Sequence, residues 1–246
     1  MVLQLSNCSF NSAPPRFLQY QYDLRAIDLS HNNLVGKFPS WLLENNTRLE
    51  ILILKNNSLT GPFMVPYDIC PNISYIDISD NNLRGPIPTN FGLVFPNLDY
   101  LNMSKNEFQG SIPSSFGNLV SLRALDMSEN HLSGKIPVHF TMGCYSLYFL
   151  KLSYNNFSGQ ILPTPFNLTR LSYLFLDNNN FSGKIPNSIS RIISIDLIDF
   201  SNNYLSGRLP TWIGNMSTLQ KIVMAKNHLE GPIPKQVMQT HSAFIS

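Results

Sequence analysis

Apolar and polar positions follow one another along this chain in a unit that repeats every 24 or 25 residues. The unit reads L-x-x-L-x-L-x-x-N-x-L-x-G-x-I-P, and residues 122–137 are one copy of it. Residues 3–10 carry the same pattern with Cys8 in the asparagine slot. The asparagine recurs at nine positions, which are Asn32, Asn57, Asn81, Asn106, Asn130, Asn155, Asn179, Asn203 and Asn227. This regularity predicts a solenoid in which each repeat contacts only its neighbours.

Each conserved slot of the unit indicates a local structure. The two leucines of L-x-L point to one face because side chains alternate along a strand. The asparagine amide can satisfy backbone groups of the turn after the strand, and the glycine indicates a positive φ. A proline two residues later excludes a continuing helix. The predicted fold class is an α/β solenoid, a right-handed superhelix with a concave parallel β-sheet and a convex side of short 3₁₀ turns and loops.

The unbroken period predicts a single leucine-rich-repeat domain over residues 1–234, with a partial repeat at 1–23 and nine repeats at 24–234. Residues 235–246 leave the pattern and are predicted to form an irregular tail. Charged residues make up only 13% of the chain and the net charge is +2, which gives no footprint for nucleic acid or anionic membranes. The apolar runs are too short for a membrane span, and strand residues follow Met1 where a signal peptide would lie.

The three cysteines do not form a disulfide framework. Cys70 and Cys144 occupy the same column three repeats apart, so strand spacing places them roughly 14 Å from each other. A disulfide needs Cα atoms within about 7 Å, and Cys8 is more than two repeats from Cys70. We therefore expect three free thiols that serve as small buried apolar residues.

Nine N-x-[ST] sequons indicate a secreted, glycosylated parent protein. Three of them, Asn45, Asn167 and Asn215, lie 12 residues before an asparagine of the repeat, on the returning side of the coil. Asn102 is different because it falls in the outward column of the strands, where a glycan would project over the concave face. The predicted glycosylation sites are Asn7, Asn45, Asn56, Asn72, Asn102, Asn156, Asn167, Asn180 and Asn215.

The sequence contains no catalytic constellation. Asp77 and Asp126 in the outward column are two repeats apart, roughly 10 Å, which is wider than the carboxylate pairs of glycosidases. We interpret these aspartates as a solvated strand face. The five histidines have no metal-ligand spacing, and no phosphate-binding glycine loop is present. We therefore predict a protein that is not an enzyme and uses neither a metal nor a cofactor.

The remaining candidate site is a surface of outward aromatic residues on the concave strands. Exposed aromatic clusters are typical of recognition surfaces, and a neighbouring column of serines would leave the groove open beside the rings. The alternative is that the rings only stack on one another and stabilise the sheet. The predicted ligand-binding residues, for a peptide, protein or glycan, are Tyr75, Tyr100, Phe149, Lys151, Tyr173 and Phe175.

The L-x-G-x-I-P extension resembles the plant-specific class of leucine-rich repeats. Residues 27–34 (IDLSHNNL) and 83–88 (LRGPIP) are similar to ectodomains of plant receptor-like proteins, as are 5–9 (LSNCS), 39–42 (PSWL) and 143–147 (GCYSL). The resemblance covers residues 1–234. Receptor kinases and polygalacturonase-inhibiting proteins share the repeat class, although the inhibitors carry paired-cysteine caps that this sequence does not match.

The resemblance implies a protein on the extracellular side of the plasma membrane that recognises a ligand in defence or developmental signalling and acts with a partner receptor kinase. A soluble inhibitor of wall-degrading enzymes is the alternative, and a non-functional truncated product is a third. The family pattern also includes a signal peptide, cysteine caps, an island domain and a membrane helix, none of which this sequence matches. We therefore expect the chain to be an internal block of repeats.

Overall fold

The concave side of the molecule is a parallel sheet to which every repeat contributes one short strand. The structure is a computed structural model that describes residues 1–235 and 244–245. Equivalent residues of successive repeats pair, as Leu125 does with Leu150. The eleven strands of this concave sheet, in spatial and sequence order, are Val2–Gln4, Ala26–Asp28, Ile51–Ile53, Tyr75–Asp77, Tyr100–Asn102, Ala124–Asp126, Phe149–Lys151, Tyr173–Phe175, Leu197–Asp199, Lys221–Val223 and Phe244–Ile245. The predicted concave parallel sheet is thereby confirmed.

A second parallel sheet runs along the side of the solenoid and was not predicted. In the seven strands between the two ends of this sheet, a buried apolar residue alternates with more exposed neighbours, and a glycine often ends the strand, as in Asn180–Gly183. Successive strands pair with a two-residue offset, since Ser133 opposes Asn156 rather than its repeat equivalent Ser158. The nine lateral strands are Val35–Lys37, Ser58–Gly61, Asn82–Pro86, Glu107–Gly110, His131–Gly134, Asn156–Gly159, Asn180–Gly183, Tyr204–Arg208 and His228–Glu230.

Short helical turns form the convex side, as the proline positions predict. An extended proline precedes most of them, with φ near −65° at Pro113, Pro186 and Pro210. The α-helices are Trp41–Asn45, Phe91–Val94 and Val138–Gly143, and the 3₁₀ helices are Arg16–Tyr20, Ser114–Asn118, Asn187–Arg191 and Thr211–Asn215. Repeats 57–81 and 155–179 contain no such turn within the described residues.

The repeated asparagines form a continuous hydrogen-bonded ladder, which we call the asparagine ladder. Asn130 is representative: its Nδ2 donates to the carbonyl oxygens of Met103, Met127 and Ser128 at 3.0, 3.2 and 3.1 Å. Its Oδ1 accepts from the backbone N–H of Phe108 at 2.9 Å. The amide therefore joins two repeats and satisfies backbone groups that no strand reaches.

The turn that presents each ladder asparagine is strained. The residue before the asparagine has φ between +51° and +56° in all nine repeats, although none of these residues is glycine. The left-handed conformation costs roughly 1–2 kcal/mol for an ordinary residue. The glycine of the unit has φ between +78° and +100°, which confirms the predicted positive φ. The hydrogen bonds of the asparagine ladder hold the turn in this conformation.

A single apolar core runs the length of the solenoid beneath both sheets. The inward strand residues are fully buried, as Leu125 and Met127 show with 0% exposure. Stacked phenylalanines continue the core towards the convex side, and the ring centroids of Phe91 and Phe116 are 4.9 Å apart. Each layer packs against the next, so no repeat has a core of its own.

All three cysteines are free, as predicted. Cys144 is buried, and burial raises the pKa of its thiol to about 12. Cys70 is half-buried, and burial followed by the nearby charge of Asp68 raises its pKa to about 11. Cys8 is exposed, so its predicted burial is wrong. It occupies an asparagine slot on the first coil, where its N–H donates to Oδ1 of Asn32.

The concave sheet extends into the segment that was predicted to be an irregular tail. Phe244 pairs with Lys221 and Ile245 pairs with Ile222, in parallel. The strand Lys221–Val223 would otherwise present unpaired N–H and C=O groups along its edge. The rest of the predicted tail beyond residue 235 lies outside the described residues.

Candidate ligand-binding face

The predicted site residues all lie on the outer surface of the concave sheet, in two groups. The strand Ala124–Asp126 separates the groups, and its first residue is an alanine where the neighbouring strands carry aromatic rings. We call Tyr75 and Tyr100 the tyrosine pair. We call Phe149, Tyr173 and Phe175 the aromatic triad. All five rings are half-buried.

The two rings of the tyrosine pair cover each other. Its ring centroids are 4.2 Å apart and the ring planes differ by only 3°, so each phenol covers one face of the other. Burial, with a smaller contribution from the neighbouring phenol, raises the pKa of Tyr75. Burial and the charge of Asp77 raise the pKa of Tyr100. The pair therefore remains neutral and fits the alternative interpretation, in which aromatic stacking stabilises the sheet.

The aromatic triad is more open. The ring of Phe149 lies 6.3 Å from Tyr173 and 5.8 Å from Phe175, with tilts of 47° and 50°. Tyr148 adds an edge contact at 6.5 Å from Tyr173 and is itself 46% exposed. Tyr148 was not among the predicted site residues, although its position directly before Phe149 is a signal in the sequence. None of these rings is covered face to face by another member of the group.

Charged groups border the aromatic triad on both sides. On one side Nζ of Lys151 lies 3.9 Å from Oδ2 of Asp126, so this cation has a carboxylate partner. On the other side Asp199 is the strand partner of Phe175. The hydrogen bond between the Tyr173 phenol and the Asp196 carboxylate raises the pKa of that phenol. Neither Asp196 nor Asp199 was among the predicted site residues.

The outward aspartates are not a simple solvated face, and this interpretation was wrong. Oδ1 of Asp126 accepts from the N–H of Ser128 at 2.9 Å and from its hydroxyl at 2.6 Å. Asp77 is buried, with 6% exposure. Burial raises its pKa, although hydrogen bonds from Ser79 act in the opposite direction. After the strand, the N–H of Met127 still donates to a backbone carbonyl of the next repeat, whereas the N–H of Ser128 donates to the Asp126 side chain instead.

The serine column does not leave an open groove either. Its members are buried, with exposed fractions between 1% and 9%, because each hydroxyl or N–H turns back to a neighbouring side chain. The pattern D-x-S or N-x-S in the sequence could have predicted that its serines bond to the aspartate or asparagine of the pattern and are buried. The buried serines are Ser30, Ser79, Ser104, Ser128, Ser153 and Ser201.

The sequon asparagines occupy different environments. Asn45 and Asn215 lie at the ends of convex turns, as expected for the returning side. Asn102 is half-buried on the concave face and its Oδ1 accepts from the hydroxyl of Ser104 at 2.7 Å. The exposed sequon asparagines are Asn7, Asn56, Asn72, Asn156, Asn167, Asn180 and Asn215.

Neither a metal cluster nor a membrane-spanning helix was found where the structure describes the chain. A search of those residues for three or more histidine, cysteine or acidic side chains that could share an ion gave no group. The helices there are also too short to cross a bilayer.

Two family models for leucine-rich repeats match this chain. One covers residues 71–132, and the other covers residues 23–45, 146–168, 170–192 and 194–216. Together they extend over both aromatic groups and most of the asparagine ladder. The chain belongs to the leucine-rich-repeat family.

The curated relatives of this leucine-rich-repeat chain are plant receptors. It is 47% identical to Cuscuta receptor 1 of Solanum lycopersicum over 81 residues, which cover 33% of the chain and 7% of that protein. It is 44% identical to Receptor-like protein 15 of Arabidopsis thaliana over 94 residues, which cover 38% of the chain and 9% of that protein. The matched region therefore spans less than a tenth of the length of each relative.

Solved structures of plant receptors share the fold. The crystal structure of a TDR receptor matches with a TM-score of 0.89 and 30% identity, over 99% of this chain and 43% of that one. The Arabidopsis receptor kinase HAESA, solved with the peptide hormone IDA and the co-receptor SERK1, matches with a TM-score of 0.73 and 27% identity, over 99% of this chain and 52% of that one. The predicted resemblance to plant receptor repeats is confirmed.

Proposed function

We propose that the concave face of this chain recognises a peptide or protein ligand, as part of the extracellular repeats of a plant receptor-like protein in defence or developmental signalling. HAESA, a receptor with the same fold, was solved in complex with the peptide hormone IDA. Because the HAESA structure also contains the co-receptor SERK1, a partner kinase is part of the proposal.

The aromatic triad is the observation that carries this proposal. Its rings are half-buried and tilted, and none is stacked in parallel on another member of the triad. Large rigid rings contribute contact area at low cost in side-chain entropy, and binding hot spots are enriched in them. The sheet beneath is held by the asparagine ladder, so the rings are already placed before a ligand arrives.

Selection of binders from a random dodecapeptide display library on the immobilised chain tests the proposal. We expect enriched peptides whose binding is lost in Phe149→Ala and Tyr173→Ala. Tyr204→Ala is the control, because Tyr204 is an exposed tyrosine on a lateral strand. The proposal fails if no peptide is enriched, or if the enriched peptides bind all three variants equally.

A glycan on Asn102 would define the extent of the site. Asn102 adjoins the tyrosine pair and lies two strands from Phe149. We expect Asn102 to be glycosylated in protein from plant cells, so that the usable surface is confined to Phe149, Lys151, Tyr173 and Phe175. Mass spectrometry measures the occupancy. Binding lost in Tyr75→Ala but unchanged in Tyr173→Ala, with Asn102 occupied, would contradict this boundary.

A further inference from the structure

The aromatic triad offers ring faces rather than a closed hydrophobic contact. The tilts of 47° and 50° leave the faces of Phe149 and Phe175 without a parallel partner within the triad. The electron-rich face of an aromatic ring attracts a cation, most effectively a planar guanidinium that can also stack on it. A ligand with a basic side chain would therefore gain more here than at the closed tyrosine pair.

The charges around the triad are unevenly compensated. The ion pairs between residues 1 and 235 join Arg25 to Glu50, Arg48 to Asp23, Arg123 to Asp99 and Lys151 to Asp126. Asp196 and Asp199 take part in none of them. Oδ1 of Asp196 is buried and has no hydrogen-bond partner, also within that range. That oxygen is out of reach of a ligand, whereas Asp199 is half-buried beside Phe175 and its carboxylate forms no ion pair within residues 1–235.

Two lysines near the triad oppose a cationic ligand less than their charge suggests. Lys151 is offset by Asp126 at 3.9 Å. Lys221 is exposed and lies one strand beyond Leu197, on the far side of the acidic residues from Phe149. A third carboxylate, Asp177, is buried and accepts hydrogen bonds from Ser153 and Asn178. The balance next to Phe175 is negative.

We propose that Phe149, Tyr173 and Phe175, with Asp199, form a subsite for the arginine side chain of a basic peptide ligand. This inference rests on the proposed function, because it assigns a ligand class to the same face. The guanidinium lies over the rings of Phe149 and Phe175 and donates to the carboxylate of Asp199, the strand partner of Phe175. A hydrogen bond from a charged donor to a carboxylate is stronger than one between neutral groups.

Two small probes of equal shape test this subsite. N-acetyl-arginine methylamide carries the guanidinium, and N-acetyl-citrulline methylamide replaces it with a neutral urea. Saturation-transfer NMR on the intact chain measures both affinities. We expect the arginine probe to bind roughly three- to fivefold more tightly, which corresponds to a cation–π contact at a partly exposed site, and the preference to weaken with added salt.

Three variants localise the effect. Asp199→Asn should reduce the preference for arginine, and Phe175→Leu should reduce the affinity for both probes. Asn102 occupies the slot that is equivalent to Asp199, and its Oδ1 accepts from the N–H of Ser104. We therefore expect Asp199→Asn to retain the fold. Asp28→Asn is the matched control. Asp28 makes the same contact to Ser30 at 2.9 Å, but its strand and the next carry no aromatic ring.

Two results would overturn the inference. One is equal or undetectable binding of the two probes, and the other is the same loss of preference in Asp28→Asn as in Asp199→Asn. The display experiment distinguishes this failure from failure of the proposed function. Enriched peptides that depend on the triad but lack arginine would leave the function intact and reject the subsite, whereas no enrichment would reject both.

Discussion

The tyrosine pair and the aromatic triad lie on the same face of the same sheet, yet they differ in what they can contact. In the pair, rings one strand apart stack in parallel at 4.2 Å, close to the spacing of about 4.8 Å between strands. In the triad, Phe175 comes from the second outward column and its ring competes for the same space. Three rings from two columns cannot all stack in parallel, so they tilt and remain open.

Position along the repeat therefore does not determine the role of an outward aromatic residue. Two rings in one column stack on each other and stabilise the sheet. A group of rings that spans two columns leaves ring surface free for a partner. The small residue Ala124 keeps the two groups apart. Four experiments, from the largest expected effect to the smallest, test this distinction and the scaffold around it.

Leu125→Ala should have the largest effect, because Leu125 is the fully buried residue of the strand between the groups. Emptying such a site costs about 2–5 kcal/mol of unfolding free energy. Lys151→Ala is the outward control and should change stability by less than about 0.5 kcal/mol. Urea denaturation measures both. Equal losses would mean that the inward and outward assignments of the strands are incorrect.

Asp126→Ala should cost about 1–3 kcal/mol, since it orphans the buried N–H and hydroxyl of Ser128. This expectation replaces the view of Asp126 as a merely solvated residue. Asp126→Asn keeps the acceptor and should be close to the parent in the same denaturation experiment. An asparagine variant as unstable as the alanine variant would instead implicate the ion pair with Lys151.

A double-mutant cycle on Tyr75 and Tyr100 should give a coupling of about 0.5–1.5 kcal/mol, the usual range for an aromatic pair. The corresponding cycle on Phe149 and Phe175 should give less, because their rings are tilted at a centroid distance of 5.8 Å. Thermal or urea unfolding of the single and double alanine variants provides the values. A larger coupling in the triad would reverse the comparison between the two groups.

Asp77→Asn should have the smallest effect, below about 1 kcal/mol, and it should depend on pH. Burial raises the pKa of Asp77 in the folded chain, so folding favours the protonated carboxyl and loses that stability as pH rises through the folded pKa. The variant should therefore be more stable than the parent at pH 8 and similar to it at pH 3. Asp199→Asn, at a half-buried position, is the control. Stabilisation of Asp77→Asn at pH 3 alone would contradict the assigned direction.

The 24- or 25-residue period was sufficient to predict the concave sheet, the asparagine ladder and the convex turns. Each of these features depends on equivalent residues meeting in successive repeats, as Leu125 and Leu150 do. The lateral sheet escaped prediction because its strands pair out of register, Ser133 against Asn156. Periodicity alone does not contain that offset.

Prediction of the candidate site was less complete. The outward column identified the aromatic residues, and Ala124 in that column already signalled their separation. The ring orientations could not be derived, because they depend on how side chains from two columns share space. Asp196 was missed because it precedes the strand, and its contact with Tyr173 requires the fold.

The strained turn before each ladder asparagine has a consequence for how such a molecule can diversify. In the nine repeats this position holds histidine, asparagine, aspartate, lysine, glutamate and tyrosine, all with nearly the same φ. The neighbouring amide fixes the backbone, so its conformation does not depend on which side chain stands at this position. A row of positions along one rim can therefore exchange charge, size and hydrogen-bonding character through single codon changes, while the scaffold that displays them is inherited unchanged.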